Sequence, residues 1–97
     1  GNHEKVKIIM QVEFLSKFSK DLDKIKSKKL KDSVHSLIEQ FENSESLTEI
    51  HNVKKLSGHK NAYRIRLGHY RLGFFAENEI IQLVRIKHRK EIYKLFP

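Results

Sequence analysis

The chain has 97 residues, 38% of them apolar, and a formal net charge of +8. That length allows one domain with a single core, the patterned apolar residues exclude a disordered chain, and no apolar run approaches the ~20 residues that span a bilayer. The absence of cysteine excludes disulfides and thiolate metal sites and fits a reducing, cytoplasmic setting.

Gly1-Asn2-His3 lacks an initiator methionine, so residues 1–6 are expected to be a disordered or expression-derived segment of a single-domain chain, 1–97. Ile8, Met10, Val12 and Phe14 alternate with polar or smaller neighbours, which predicts a first strand over 7–13. Leu15, Phe18, Leu22 and Ile25 then recur at helical spacing, with Lys17, Lys20, Asp21 and Lys24 on the opposite face. Ser27 is the expected N-cap of a second helix, whose apolar stripe is Leu30, Val34, Leu37, Ile38 and Phe41. A tight turn near Lys26-Ser27 joins the pair. Asn43-Ser44-Glu45-Ser46 ends the second helix, and a loop with a short turn over 47–50 leads to Asn52.

From Val53 the apolar period drops to two. Val53-Lys54-Lys55-Leu56 reads as a short strand stopped by Ser57-Gly58. Tyr63, Ile65 and Leu67 point to one face of the next strand, Arg64 and Arg66 to the other. Leu67-Gly68-His69-Tyr70 fits a two-residue hairpin turn, after which Tyr70, Leu72 and Phe74 continue the apolar face opposite Arg71 and Gly73. Glu77-Asn78 makes the next reversal. Residues 80–86 are apolar on both faces, as a central strand is, and 89–95 form a last helical turn or an extended tail. The expected fold is α+β, two N-terminal helices packed on one face of a small, mostly antiparallel sheet.

The charge is segregated. Residues 1–53 carry nine Lys against nine Asp and Glu, whereas 54–97 carry eleven Lys and Arg against Glu77, Glu79 and Glu91. Every arginine lies at 64 or beyond, and a planar guanidinium matches phosphate oxygens better than a lysine point charge does. A localised positive field of this kind attracts polyanions, nucleic acid first among them. Alternating charge is ordinary on a half-exposed strand, but Arg64, Arg66 and Arg71 on neighbouring strands form an array suited to a phosphodiester. His88 is the first candidate proton shuttle and His69 the second, while His59 is a turn residue without supporting partners. Lys54, Lys55, Lys60, Lys87 and Lys90 are candidate RNA-binding cations; the lysines from 17 to 31 read as a solvated helix surface. The late glutamates lack clustered spacing and no His pair stands at i,i+4, so neither a metal nor another cofactor is expected.

Three motifs carry a family resemblance: Lys55-Leu56-Ser57-Gly58, then Tyr63-Arg64-Ile65-Arg66-Leu67-Gly68-His69-Tyr70-Arg71, and the closing His88-Arg89-Lys90-Glu91-Ile92-Tyr93. In this order, over roughly 8–95, they resemble the RelE/ParE toxin superfamily of bacterial type II toxin–antitoxin modules, the RelE branch more closely because of the terminal His-Arg and Tyr. The resemblance implies a cytoplasmic, metal-independent endoribonuclease that cuts mRNA in the ribosomal A site, inhibits translation and is silenced by a cognate antitoxin. It also implies that Arg64 and Arg66 stand where RelE enzymes have basic active-site residues, usually lysines. By the same likeness Arg71 contacts the scissile phosphate, His88 or Arg89 supplies the leaving-group acid, and Tyr93 stacks on or orients a base. Arginine in place of lysine matters, because a guanidinium stays protonated and is a poor general base. Two alternatives follow from the same likeness: a ParE-like inhibitor of DNA gyrase that cleaves nothing, and a degenerate member that only binds its antitoxin.

Overall fold

The structure is a computed structural model and describes residues 10–97. Residues 7–9 of the expected first strand, and the whole of 1–6, lie outside the described residues. The strands β1 (Gln11–Phe14), β2 (Val53–Lys55), β3 (Ala62–Leu67), β4 (Tyr70–Glu77) and β5 (Ile80–His88) form one sheet in the order β1-β5-β4-β3-β2. The pairings from β2 to β5 are antiparallel, and β1 joins β5 in parallel. Two helices, α1 (Ser16–Asp23) and α2 (Lys28–Asn43), follow β1, and a short helix α3 (Ile92–Leu95) closes the chain. The expected α+β arrangement is therefore the observed one, with 92–95 of the closing segment forming a helical turn.

Local chemistry accounts for the element ends. The Ser27 hydroxyl accepts the Leu30 N–H at 3.2 Å, satisfying one of the orphan donors at the start of α2. Gly68 has φ +61° in the β3–β4 hairpin, a conformation cheap only without a side chain. The β4–β5 reversal falls one residue later than Glu77-Asn78: Asn78 and Glu79 both have positive φ (51° and 62°), as a two-residue turn matching the strand twist requires.

The helices cover one face of the sheet. Phe18, Val34, Leu37, Ile38 and Phe41 meet Ile65, Leu72, Phe74, Ile81, Leu83 and Ile86 in one buried cluster, against which Tyr63 and Tyr70 also pack. Phe74 lies at its centre, edge-on to Phe41 at 5.2 Å and stacked with Tyr63 at 5.4 Å between ring centroids. Full burial of such a side chain contributes about 1.5–3 kcal/mol.

A bulge decides what the other face carries. Gly73 pairs with Arg85 but Phe74 pairs with Leu83, so Val84 is an extra residue in β5. The inserted residue switches the side-chain parity: Ile81 and Leu83 face the helices before it, and Ile86 does so after it. Without it, strict alternation would turn Arg85 and Lys87 into the apolar core.

β1 pairs with β5 only as far as Leu83, which leaves the end of that central strand open on one side. α1 closes it. The buried Asp21 carboxylate accepts the Ile86 N–H at 3.2 Å, takes two hydrogen bonds from Arg85 at 2.8 and 3.1 Å, and lies 3.3 Å from Lys87 Nζ. Burial pushes this carboxyl up, but the Arg85 and Ile86 hydrogen bonds, the Arg85 charge and Lys87 outweigh it and hold the group below the ordinary 3.8.

Candidate active site

The face away from α1 and α2 divides into an apolar and a cationic zone. Leu56, Ala62, Ile92 and Phe96 form a small second cluster with Phe75 and Val84. Beside it, cross-strand register aligns two rows of cations. Lys54 stands opposite Arg64, and Arg64 opposite Gly73; Arg66 stands opposite Arg71, and Arg71 opposite Lys87. Directly opposed side chains have Cβ atoms about 4.5–5.5 Å apart, and like charges so placed repel. Among the described residues, no carboxylate lies within 4.0 Å of the cationic groups of Lys54, Arg64, Arg66 or Arg71. A bound anion would relieve this repulsion.

These cations share one cleft. Asn52, Val53, Lys54, Arg64, Arg66, Arg71 and Tyr93 line a cavity of about 450 Å³. Arg71 is half-buried and fixed by its own hairpin, its Nη1 donating to Gly68 O at 2.8 Å and to Tyr70 O at 3.0 Å. Arg64 lies over the Tyr93 ring, 4.5 Å from its centroid, within cation–π range. Tyr93 is 69% exposed although its neighbour Ile92 is fully buried. Thus α3 is anchored by Ile92 and Phe96 in the small cluster while presenting an aromatic face to the cleft.

Phe96 can reach its seat because residue 73 is glycine. A Cβ built on Gly73 would collide with the Phe96 ring. The φ of Gly73 is one that other residues adopt, so the close approach is what demands glycine here. That role was readable in principle, since a glycine inside a strand signals a near neighbour, but the neighbour itself was not.

The remaining candidates are dispersed. His88 does not line the cleft; it pairs in register with Tyr70 on the helix-bearing face, its ring 5.8 Å from Tyr70 and 6.2 Å from His69. Its Nδ1 accepts the Lys90 N–H at 3.2 Å. Arg89 is exposed in the turn after β5, its N–H donating to His69 O at 2.8 Å. Lys87 shares a row with Arg71 but is drawn to Asp21 at the strand edge. Of the other lysines, Lys54 alone lines the cleft; Lys55 is an exposed edge-strand residue, Lys60 an exposed loop residue and Lys90 an exposed turn residue. Sequence reasoning missed Asn52, whose positive φ (65°) turns the chain into β2 at the cleft wall, and the Asp21–Arg85 pair. Nothing distinguished Asp21 from the other charged residues of a lysine-rich helix.

The chain resembles known proteins in sequence and in fold. Residues 12–93 match the family described as ParE toxin of type II toxin-antitoxin system, parDE. The chain is 38% identical over 89 residues to Toxin RelE3 of Methanocaldococcus jannaschii, covering 91% of this chain and 100% of that one. Its fold superposes on the crystal structure of the RelB–RelE antitoxin–toxin complex from Methanococcus jannaschii with a TM-score of 0.76 and 36% identity, over 88% of this chain and 99% of the other. The archaeal RelE–RelB complex from Pyrococcus horikoshii has the same fold at 24% identity, with a TM-score of 0.70 over 84% of this chain and 96% of that one. Family match, relatives and fold concur: this chain belongs to the RelE/ParE superfamily of type II toxin–antitoxin toxins.

Proposed function

We propose that the protein is a ribosome-dependent, metal-independent endoribonuclease that cleaves mRNA in the ribosomal A site and is neutralised by a cognate antitoxin. The observation that carries this reading is the convergence of Arg64, Arg66, Arg71 and Tyr93 on one cleft whose cations have no carboxylate partner among the described residues. In such a reaction the ribose 2′-oxygen attacks the adjacent phosphorus and loses its proton. The P–O5′ bond breaks, and the departing oxygen takes up a proton. Negative charge accumulates on the phosphorane between these events.

Arg71, pinned by two backbone carbonyls, is suited to hold the scissile phosphate, with Arg64 and Arg66 stabilising the charge that develops. None of the three can accept the 2′-proton. Lys54 faces Arg64 across the β2–β3 pair and has a neutral form with a free lone pair, so we assign it the proton-acceptor role. Tyr93 offers its exposed ring for base stacking and orients the nucleotide, which is where much of the rate can originate. The likeness to proteins solved with RelB supports an antitoxin partner for this chain also.

Incubation with programmed ribosomes tests the reading, and cleaved message is the expected result. The family match to ParE favours one second reading, a gyrase inhibitor. Intact message together with inhibited supercoiling would establish it.

A further inference from the structure

The cleft does not end at Arg66. A second cavity, of about 640 Å³, opens between α2 and the β2–β3 edge, and Asn52 and Arg66 line both. The Asn52 carbonyl accepts the Arg66 N–H at 3.4 Å, so the residue that turns the chain into β2 also forms the sill between the two spaces. The two spaces adjoin at these shared residues and together form a bent trough at the edge of the sheet.

Resting on the nuclease reading above, we propose that this second cavity is a subsite for a nucleotide flanking the cut, which carries the single-stranded message past Arg66 towards the start of α2. Its chemistry suits one nucleotide. Lys29 and His51 are exposed at the wall, and Arg66 is exposed at the junction. The one acidic lining residue, Asp32, is engaged by Lys28 at 3.1 Å, so its charge is already balanced. Ile65 and Leu67 supply an apolar floor for a base or ribose. A phosphate on Arg66 has neighbours on both sides along its strand, and the trough offers one of them a cation-lined path. Phosphate contacts of this kind set register without reading sequence.

Programmed ribosomes supply the test, with messages carrying a single methylphosphonate, which removes one phosphate charge, at successive positions on either side of the cut. Lys29→Ala and His51→Ala are expected to lower kcat/KM by about three- to tenfold on the unmodified message. Lys17→Ala, exposed on α1 and lining neither cavity, should leave it unchanged. With the methylphosphonate at one flanking position, the cost of Lys29→Ala should fall below about twofold, because the two changes remove the same contact. A Lys29→Ala cost that couples to no message position overturns the subsite and means that this cation meets ribosomal RNA. Unchanged cleavage by both variants overturns it as well. If the unsubstituted protein leaves every message intact, the nuclease reading falls first and the subsite with it, so the two failures are distinguishable.

Discussion

Gly73→Ala tests how the site is assembled. The methyl group would meet the Phe96 ring, which is 3% exposed and packed with Leu56, Ala62 and Ile92. Because the backbone at 73 is not strained, the cost is that of moving the ring. Surrendering much of the burial of a phenyl group costs about 1.5–3 kcal/mol, a fall in Tm of roughly 6–24 °C for a domain of this size. The larger cluster around Phe74 is untouched, so the chain should still fold. Displacing Phe96 shifts α3 and carries Tyr93 away from Arg64, and cleavage on programmed ribosomes should drop at least ~10-fold. Urea unfolding followed by circular dichroism gives the stability, and single-turnover cleavage gives the activity. The decisive comparison is a cycle with Phe96→Ala, which removes the obstructing ring: Gly73→Ala should then add less than about 0.5 kcal/mol. If it adds its full cost in that background, the clash with Phe96 is not why glycine is needed.

Arg71→Ala should lower single-turnover cleavage by more than ~10-fold with an unchanged unfolding curve, the loss of one fixed cation at the phosphate; an unaltered rate removes Arg71 from the mechanism. Lys54→Arg keeps the charge but cannot release a proton, so it should lose ~10²-fold or more in rate while Kd for the programmed ribosome stays within about twofold; a rate near that of the unsubstituted protein reassigns the base. His88→Ala, on the opposite face, should leave cleavage within about threefold, and a loss of ~10²-fold would return the histidine to the chemistry. Asp21→Asn should destabilise by about 3–5 kcal/mol at pH 7, since it leaves Arg85 nearly buried without its counter-charge. The Asp21 carboxyl titrates below its ordinary value in the folded state, so its stabilisation is present above the unfolded-state value and lost as pH falls through the folded one. Urea unfolding across acid pH should therefore show a flatter decline for Asp21→Asn than for the unsubstituted protein, and parallel curves would refute the pairing.

The linear order of residues was enough for the elements. Phe18, Val34, Leu37, Ile38 and Phe41 recur at helical spacing, and Tyr63, Ile65, Leu67, Leu72 and Phe74 alternate, because burial on one face imposes those periods wherever it occurs. The same alternation placed Arg64, Arg66 and Arg71 together on the other side, and the motif order led to the family. Spacing along the chain reveals neither a bulge nor a contact between distant segments, and there tertiary structure decided. The bulge at Val84 reverses the parity of β5, which puts His88 beside Tyr70 and away from the arginines. Asp21 holds Lys87 at the strand edge across more than sixty residues of chain, and Gly73 admits a ring from the last turn of the protein. Each of these depends on which strands lie adjacent and on where a terminal helix finds space. Those are properties of packing between distant segments, and no local pattern contains them.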